Sequence, residues 1–479
     1  MTVSSPRPGT SAETSTLDLD ALRGQIKGRV IGPKDDDYET ARAVMFGGID
    51  RHPAVIVRVA NVDDVRRVIA LARETGLELA IRSGGHSAKG DSTTEGGIVL
   101  DLADLSKIDV DPTTKTMWAE AGSSALAVTQ AAAEHGLAIG FGDTGSVGIG
   151  GITLGGGVGY LGRKYGLTID NLLAADIVTA EGELLRADAD TNPDLFWAIR
   201  GGGGNFGVAT RFQYRLIDLP GIVGGLLVLP ATAETVERFM TLSDEAPAEL
   251  GTIGNVMPCP PMPMVGEEWH GKVVIFGLMC WAGDAASGAE TLQAFRDLAK
   301  LGGLDAPIAD LMHPGPYTEM YPPEDPDYHP LAVSLTGFLD RVDRATAETI
   351  MDRLGKIDAP MRAVQLRVLG GAMARVPNDA TAFAHRDRRL MVNVVAMATD
   401  PSELPTRAEW VGSLASSIQR GPEAAYVGFL LDEGPERVQQ AYPGGTFDRL
   451  AEIKGIYDPT NLFRLNQNIP PAPTTREAR

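Results

Sequence analysis

The sequence predicts an α+β protein with two domains, and three observations support this prediction. The chain has 479 residues, more than the ~250–300 residues at which a single hydrophobic core usually stops growing. A strand–helix–strand pattern in the first hundred residues leads towards a glycine-rich stretch over 140–166. After residue 221 longer helical segments alternate with strand-like runs, which is typical of a sheet covered by helices.

The first half is predicted to consist of short strands and helices. Residues 17–30 carry a partial apolar stripe that indicates a short helix. A strand–helix–strand unit follows, and Asn61 stands where it would cap the helix. The elements of this unit are a strand over 53–60, a helix over 61–76 and a strand over 77–85. The elements predicted after it are strands over 96–105 and 117–125, a helix over 124–136, a hairpin over 172–187, and a helix, glycine cluster and strand over 192–216.

The stretch over 140–166 contains 12 of the 56 glycines in the chain. Flexible linkers are rich in Gly and Ser, whereas this stretch carries Ile, Leu, Val and Tyr. Glycine among apolar residues indicates buried backbone that passes close to a large flat group or binds phosphate through its N–H groups. Gly157, Gly159 and Gly162 spell G-x-G-x-x-G, but a dinucleotide-binding unit needs a strand directly before this motif. More glycine precedes it, so we favour the view that the match is coincidental and keep an NAD enzyme as a distant alternative.

The second half is predicted to be a sheet with helices on one face. The predicted helices lie over 233–246, 287–301 and 344–357, and the predicted strands over 272–283, 331–339, 363–371 and 389–398. The last element, over 447–471, is a helix that stops at Asp458-Pro459 and continues as an extended tail, because the residue before a proline disfavours helical geometry.

Composition excludes several classes of function. The formal net charge of −20 argues against nucleic acid and acidic membrane surfaces. No apolar run approaches the ~18 residues of a transmembrane helix, and residues 1–18 lack the pattern of a signal peptide. Cys259 and Cys280 are too few for a disulfide scaffold or a zinc site. We therefore expect a cytoplasmic protein that binds neither membrane nor metal.

Four stretches carry a more specific signal when they are taken together. They are IRSGGHSAKG (81–90), the glycine-rich stretch running on into YGLTIDNLLAADIVTAEGE, DLFWAIRGGGGNFGVAT (194–210) and YDPTNLFRLNQNIPP (457–471). In this order they resemble the covalent-flavin oxidases of the berberine-bridge-enzyme type, within the vanillyl-alcohol-oxidase superfamily. Bacterial 6-hydroxynicotine oxidases and the tailoring oxidases of secondary metabolism are closest in length and layout. The resemblance covers about 50–216 and 420–471 and fades in between.

The resemblance implies an architecture with three parts. Residues 1–221 would form a PCMH-type FAD-binding domain of two α/β subdomains, with 1–16 as a disordered leader. Residues 222–429 would form an α+β substrate domain whose antiparallel sheet is covered by helices. Residues 430–479 would return to the FAD domain.

The resemblance also implies bound FAD, attached through the flavin 8α-methyl group to His86. The alternative for His86 is an ordinary loop histidine. The residues expected to bind the cofactor are Arg82, Ser83, Gly84, Gly85, His86, Ser87, Thr144, Gly145, Val147, Gly148, Gly150, Gly151, Gly155, Gly159, Val208, Asn466 and Asn468. Many relatives attach the flavin a second time through a cysteine, but Thr144 occupies that position, so we expect a single covalent link. Val147 occupies the position that governs approach of oxygen, where valine is typical of oxidases.

Catalytic residues are harder to assign, because flavin oxidation of an alcohol or amine needs a base where the proton leaves. Tyr426 in AAYVGF matches a tyrosine of the family, although Gly428 replaces the asparagine that the family has there; the alternative is a packing tyrosine. Gln365 and Arg367 alternate on one strand and would share a face of the sheet. We name Tyr426 and Gln365 as catalytic candidates. His385 stands at a family-like position, but an interface histidine is favoured, and packing is favoured for Trp269, His270 and Trp281.

The resulting hypothesis is an FAD-dependent oxidase. A small organic substrate, an alcohol or amine of a secondary metabolite or heterocycle, would transfer a hydride to flavin N5, and molecular oxygen would reoxidise the flavin with formation of H2O2. Two alternatives stay open: a dehydrogenase of the same fold that uses another acceptor, and a non-catalytic flavin-binding protein. Substrate identity and oligomeric state cannot be deduced from the sequence.

Overall fold

The computed structural model describes residues 17–419 and 423–473, so the leader predicted over 1–16 lies outside the described residues. The chain begins with a four-stranded sheet in the order β1-β2-β4-β3, in which β2, β4 and β3 are parallel. Asn61 caps α3 as predicted, because its side chain accepts a hydrogen bond of 3.0 Å from the Asp64 backbone N–H. The elements are α1 (Leu19–Arg23), β1 (Arg29–Ile31), α2 (Tyr38–Arg42), β2 (Val55–Arg58), α3 (Val62–Thr75), β3 (Leu79–Arg82) and β4 (Ile98–Asp101).

The helix predicted over 17–30 is wrong in its second half. Helix α1 ends at Arg23, and residues 29–31 form an edge strand paired antiparallel with β2. Leu22 and Ile26, two residues of the apolar stripe, are nevertheless buried in the core. The short apolar stripe therefore reports burial and does not distinguish a helix from a turn and a strand.

A second, five-stranded sheet follows in the order β5-β6-β10-β8-β9, and all of its pairings are antiparallel. The hairpin predicted over 172–187 is confirmed as β8 and β9, and the helix predicted over 124–136 as α4. The elements in order are β5 (Ile108–Asp111), β6 (Thr116–Glu120), α4 (Ala125–Ala133), β7 (Leu137–Ala138), α5 (Ile149–Gly155), α6 (Gly162–Tyr165), β8 (Leu172–Val178), β9 (Leu184–Asp188), α7 (Pro193–Ala198), β10 (Val208–Arg215) and β11 (Ile217–Asp218).

The glycine-rich stretch folds into α5, α6 and the close turns around them. A Cβ at Gly159 would lie 1.7 Å from the Phe141 carbonyl oxygen, and one at Gly157 would lie 1.9 Å from the Thr168 hydroxyl. These positions require glycine because the stretch packs its own backbone against neighbouring chain segments. Helix α5, not a strand, precedes Gly157, and the helix that begins at Gly162 is the four-residue α6. The structure therefore supports rejecting the Rossmann motif.

The third sheet has eight strands, in the order β15-β12-β14-β13-β18-β19-β17 with β16 also beside β12. Its paired strands run antiparallel. The elements are β12 (Ile222–Pro230), α8 (Ala233–Glu245), β13 (Leu250–Pro258), β14 (Val273–Trp281), α9 (Ala285–Arg296), β15 (Ala309–Asp310), β16 (His313–Gly315), β17 (Leu331–Leu339), α10 (Arg344–Leu354), β18 (Arg362–Val368), α11 (Ala372–Arg375), β19 (Leu390–Ala398) and α12 (Leu404–Ile418).

The four longer helices of this part cover one face of the sheet. Apolar residues of α8, α9, α10 and α12 pack into one core with alternate residues of the strands, such as Val364 and Leu366. This arrangement confirms the predicted α+β class. The prediction missed β12, β13 and α12, although each is long. The opposite face of the sheet is free of these helices and faces the glycine-rich stretch.

The C-terminal segment, with α13 (Pro435–Ala441) and α14 (Thr446–Tyr457), returns to the first two sheets, and Leu450, Ile453 and Phe463 pack into their core. The helix ends at Tyr457, just before Asp458-Pro459, as predicted. Cys259 and Cys280 are free and buried. Every helix in 17–419 and 423–473 is too short or too polar to cross a membrane.

A buried ion pair holds the C-terminal tail in place. Lys454 is fully buried, and its ammonium group donates hydrogen bonds to the Asp458 carboxylate (2.6 Å), the Asn205 carbonyl (2.6 Å) and the Phe463 carbonyl (3.0 Å). The Asp458 carboxylate also accepts the backbone N–H of Phe463 at 2.9 Å. Burial lowers the pKa of Lys454, and Asp458 opposes this shift.

Replacing Lys454 by methionine is expected to lower the free energy of unfolding by about 3–5 kcal/mol, because it leaves the Asp458 carboxylate buried without its cation. The measurement is equilibrium denaturation in guanidinium chloride. Lys300→Met is the matched control: its partner Asp297 is on the surface and its own side chain is 65% exposed, so its effect should stay below about 1 kcal/mol. Equal effects of the two substitutions would contradict the role assigned to the buried pair.

Candidate functional site

Two glycine-containing loops meet at the end of β3. The loop over 82–87 follows β3, and the segment over 145–151 leads into α5. A Cβ at Gly84 would lie 2.3 Å from the backbone nitrogen of Gly148, and a Cβ at Gly148 would lie 2.3 Å from that of Gly84. Ser83 fixes the contact, because its hydroxyl donates to the Ala121 carbonyl (2.6 Å) and accepts from the Gly150 N–H (3.3 Å). The loops therefore form one rigid unit of closely spaced backbone.

The remaining glycines of these loops differ in how much space surrounds them. Gly85 has φ +74°, in the left-handed region that favours glycine. A Cβ at Gly151 would meet nothing within 4 Å, so the backbone there borders open space. A Cβ at Gly150 would touch Ser83, and one at Gly145 would lie 3.1 Å from the Cβ of Tyr321. A Cβ at Gly155 would lie 3.7 Å or more from the nearest atoms, which belong to Val427 and Gly428.

Several of the predicted cofactor residues have side chains that are already engaged or packed within the protein. The Arg82 guanidinium is buried and bonded to Asp101 at 3.0 Å, and the Ser87 hydroxyl accepts the Asp91 N–H at 3.3 Å. Val208 is packed in the core of the first two sheets. Thr144 and Val147 are half-buried at the edge of the loop unit.

His86 lies at one end of the loop unit and forms a chain of hydrogen bonds. Its Nε2 is 3.0 Å from the Ser146 hydroxyl. That hydroxyl donates to the Glu324 carboxylate, which also accepts the Ser146 backbone N–H at 3.0 Å. Burial lowers the pKa of His86, and the Glu324 charge opposes this shift. Sequence reasoning missed Ser146 and Glu324, because no sequence motif identifies either residue as part of a hydrogen-bond chain with His86.

The C-terminal tail brings amide side chains to the other side of the site. The Oδ1 atoms of Asn466 and Asn468 are buried and have no hydrogen-bond partner within the described part of the chain. By contrast, the Gln467 amide donates to the Leu430 carbonyl at 2.8 Å. Buried polar atoms are normally paired, so the two free oxygens indicate a ligand that supplies donors.

The free face of the eight-stranded sheet carries a row of uncharged polar residues. They are cross-strand neighbours on β13, β18, β19 and β17, namely Asn255, Gln365, Asn393 and Thr336. The Gln365 amide donates to Asn255 Oδ1 (3.1 Å), and its oxygen accepts from Arg367 Nε (3.0 Å). Asn393 Oδ1 and the Thr336 hydroxyl are buried and have no partner among the described residues.

Arg367, on the same face as Gln365, connects the sheet to the glycine-rich stretch. It is 4% exposed and pairs with the Asp143 carboxylate. Its guanidinium also lies 5.2 Å from the centre of the Phe429 ring and 3.4 Å from the Val158 carbonyl. The prediction that Gln365 and Arg367 share one face is confirmed. The pairing with Asp143 was not predicted, because more than 200 residues separate the two.

Tyr426 lies close to this contact, with its ring centre 5.2 Å from that of Phe429. It is 4% exposed, and its hydroxyl accepts the Gly157 N–H at 3.2 Å. Burial raises the pKa of Tyr426, while the Gly157 N–H and the nearby Arg367 charge oppose the rise. A Cβ at Gly428 would lie 2.8 Å from the Tyr426 ring. Because Gly428 has no side chain where the family has asparagine, the Tyr426 ring can pack against its backbone.

The other sequence candidates lie apart from this space or at its border. His385 is buried between Phe338 and Phe383, with ring centres 4.8 and 6.3 Å away. Burial lowers its pKa to about 4, so the imidazole is neutral. Trp281 belongs to the helix-covered core, as the packing interpretation predicts. Trp269 and Cys259 belong to a separate cluster beside β12 and β14.

The arrangement fits FAD. A flavin nucleotide needs backbone N–H groups for its pyrophosphate and hydrogen-bonding groups for the edge of its ring. The loop unit provides closely spaced backbone that borders open space at Gly151, and the tail provides the unpaired oxygens of Asn466 and Asn468. The polar row lies on the sheet face that meets the glycine-rich stretch through Arg367 and Asp143, and Tyr426 contacts the same stretch at Gly157.

Comparison with known proteins gives the same result. The sequence profile described as "FAD binding domain" matches residues 53–188, and the one described as "Berberine and berberine like" matches 425–470. The chain is 30% identical over 468 residues to (R)-6-hydroxynicotine oxidase of Paenarthrobacter nicotinovorans, covering 93% of this chain and 97% of the relative. It is also 30% identical over 454 residues to the FAD-linked oxidoreductase YvdP of Bacillus subtilis, covering 94% and 99%.

Solved structures agree. The crystal structure of 6-hydroxy-D-nicotine oxidase from Arthrobacter nicotinovorans superposes with a TM-score of 0.82 at 26% identity, over 93% of this chain and 98% of that one. A xylooligosaccharide oxidase from Myceliophthora thermophila shares the fold with a TM-score of 0.81 at 22% identity, over 95% of this chain and 99% of that one. The chain therefore belongs to the berberine-bridge-enzyme-like family of FAD-linked oxidoreductases.

Proposed function

We propose that this enzyme is an oxidase with FAD linked to His86, acting on an alcohol or amine of a small organic molecule. The observation that carries the proposal is that Tyr426 and Arg367, the latter on the sheet face that carries the polar row, both contact the glycine-rich stretch. When bound, the flavin accepts a hydride at N5 and passes two electrons to dioxygen, with release of H2O2. A cytoplasmic location remains a prediction.

In this proposal, different residues of the chain hold different parts of the cofactor. Backbone N–H groups of Gly84, Gly85, Gly148 and Gly151 would bind the pyrophosphate, whereas those of Ile149 and Gly150 are already bonded to Ser123 and Ser83. The amides of Asn466 and Asn468 bind the edge of the ring, and His86 bonds to the ring methyl group. Thr144 replaces the cysteine that makes a second bond in many relatives, so His86 is the single point of attachment.

Tyr426 is the proposed base for the substrate proton. Its hydroxyl is buried beside Arg367, whose positive charge stabilises a phenolate, and it accepts the Gly157 N–H. Both ends of the Gln365 amide are bonded within the protein. In this proposal Gln365 therefore holds Arg367 in place and does not itself transfer a proton.

The lining of the space favours an uncharged substrate. Next to Arg367 on the free face of the sheet, Met391 and Phe338 pack in one buried apolar cluster with Phe383 and Tyr426, and Phe429 packs against it. The Arg367 charge is matched by Asp143, and His385 is neutral. Aromatic rings and free amide or hydroxyl groups suit a small heterocycle or a related aromatic alcohol or amine, since apolar walls with a few polar groups are typical of such sites.

The covalent link is tested by acid precipitation of the purified protein. We expect yellow colour in the pellet of the wild type and none in the pellet of His86→Ala. His135→Ala, which changes a histidine far from the loop unit, is the control and should keep the colour. Yellow in the supernatant alone would contradict the link and leave a flavoenzyme with dissociable FAD. Absence of flavin from both fractions would contradict the proposed function as a whole.

Replacing Tyr426 by phenylalanine is expected to slow reduction of the flavin about a hundredfold or more, the effect of removing a general base. The measurement is anaerobic stopped-flow bleaching by any alcohol or amine that reduces the wild type. Tyr442→Phe is the matched control, since Tyr442 is equally buried and its hydroxyl bonds to the Gly201 carbonyl. Bleaching by Tyr426→Phe at the wild-type rate would remove Tyr426 from the chemistry. A wild type that no donor bleaches would favour the non-catalytic flavin-binding alternative.

Val147 tests the use of dioxygen. Replacing it by leucine is expected to slow reoxidation of the reduced flavin by dioxygen, because the larger side chain obstructs access, and to leave reduction by substrate unchanged. Oxygen consumption and stopped-flow reoxidation measure the two steps. If the wild type turns over with an artificial acceptor but consumes no oxygen, the dehydrogenase alternative is correct.

A further inference from the structure

The hydrogen bonds around His86 determine where its proton lies. The Glu324 carboxylate can only accept hydrogen bonds, so the Ser146 hydroxyl must donate its single proton to it. The hydroxyl oxygen then faces His86 Nε2 at 3.0 Å as an acceptor. A neutral imidazole carries one proton, and here that proton lies on Nε2. Nδ1 is left with its lone pair.

Glu324 is held in position by the segment that carries it. This segment, over 321–330, starts at Tyr321, which is buried. Tyr321 packs closely on Gly145, since a Cβ at Gly145 would lie 3.1 Å from the Cβ of Tyr321. It ends near His329, whose Nδ1–H donates to the Val44 carbonyl at 2.9 Å. The neighbouring Met45 N–H donates to the Gly85 carbonyl, directly before His86. The segment is therefore fixed on both sides of the loop that carries His86.

Given the His86 linkage proposed above, we infer that Ser146 and Glu324 are positioning residues for flavin attachment, which direct His86 to bond through Nδ1. The Nδ1 lone pair forms the bond to the carbon of the ring methyl group. That carbon and the imidazole each release one proton, and the electron pair passes to the ring. Dioxygen then takes two electrons and two protons and leaves as H2O2. The proton on Nε2 departs through the Ser146 hydroxyl towards the Glu324 carboxylate.

In this proposal Ser146 and Glu324 position His86 together, as members of one chain of hydrogen bonds. Removal of either should break the same chain of hydrogen bonds, so the double variant should be no slower than the slower single variant. Threonine at 146 keeps the hydroxyl and should keep the function. Asp325 is an exposed carboxylate next to Glu324, and among residues 17–419 and 423–473 it bonds only within its own turn. Asp325→Asn is therefore the matched control for Glu324→Gln.

The experiment measures attachment itself, not turnover. Full-length protein from riboflavin-starved cells is mixed with FAD, and acid-stable flavin fluorescence is followed with time. We expect Ser146→Ala and Glu324→Gln to slow attachment by about tenfold or more, and Ser146→Thr and Asp325→Asn to attach at close to the wild-type rate. Reversible FAD binding, measured by quenching before attachment, should change less than about twofold. NMR of the flavin peptide released by proteolysis should show the bond at Nδ1.

The possible results separate this inference from the proposed function. Attachment at the wild-type rate in Ser146→Ala and Glu324→Gln would overturn the inference and leave the His86 link standing. A bond at Nε2, equal slowing by Asp325→Asn, or loss of reversible FAD binding in the Ser146 variant would also overturn it. Acid-stable flavin in His86→Ala would instead show that the link itself was wrong, and the inference would fall with it.

Discussion

The approach of two backbone segments at Gly84 and Gly148 is the constraint on which the site depends. A Cβ atom at either glycine would lie 2.3 Å from the backbone nitrogen of the other, so neither position admits a side chain. The contact joins the end of the parallel sheet to the start of α5 and is locked by Ser83. The contact also fixes the positions of the segments that follow each glycine. His86 follows Gly84, and the glycine-rich stretch that contacts Arg367 and Tyr426 continues after Gly148.

The candidate site lies where two parts of the fold with different construction meet. One side is built from glycine-rich backbone, which offers N–H groups and little side-chain bulk. The other is a large antiparallel sheet whose helices are confined to the opposite face, so that the free face can present amides, a hydroxyl and an arginine. Glu324 and Tyr321 extend from the second part onto the first, so the proposed attachment site is built from residues of both.

The sequence predicts the fold well where local pattern and packing agree. The capped helix after Asn61, the hairpin over 172–187 and the α+β class all follow from periodicity and turn residues, and all are confirmed. The helix over 17–30 fails because a few buried apolar residues are compatible with helix and strand alike. The strands β12 and β13 are missed because each contains two glycines, a residue that is depleted in strands.

The site is less predictable than the fold, for a physical reason. Motif positions such as His86, Gly84 and Val147 are local and can be recognised, and the shared face of Gln365 and Arg367 follows from strand alternation. Ser146 with Glu324, and Arg367 with Asp143, are pairs formed by folding between segments far apart in the chain. No spacing rule in the sequence indicates such pairs.

The buried pair of Lys454 and Asp458 has a consequence for the order of synthesis. The ammonium group of Lys454 contacts Asn205 and Phe463 together, and the tail beyond it carries Asn466 and Asn468. A ribosome that has made the entire first half of the protein has therefore made the two glycine loops without the amides that complete them. The nascent chain therefore lacks the side chains of Asn466 and Asn468 at its proposed cofactor site until synthesis has passed residue 468, more than 300 residues after the glycine loops.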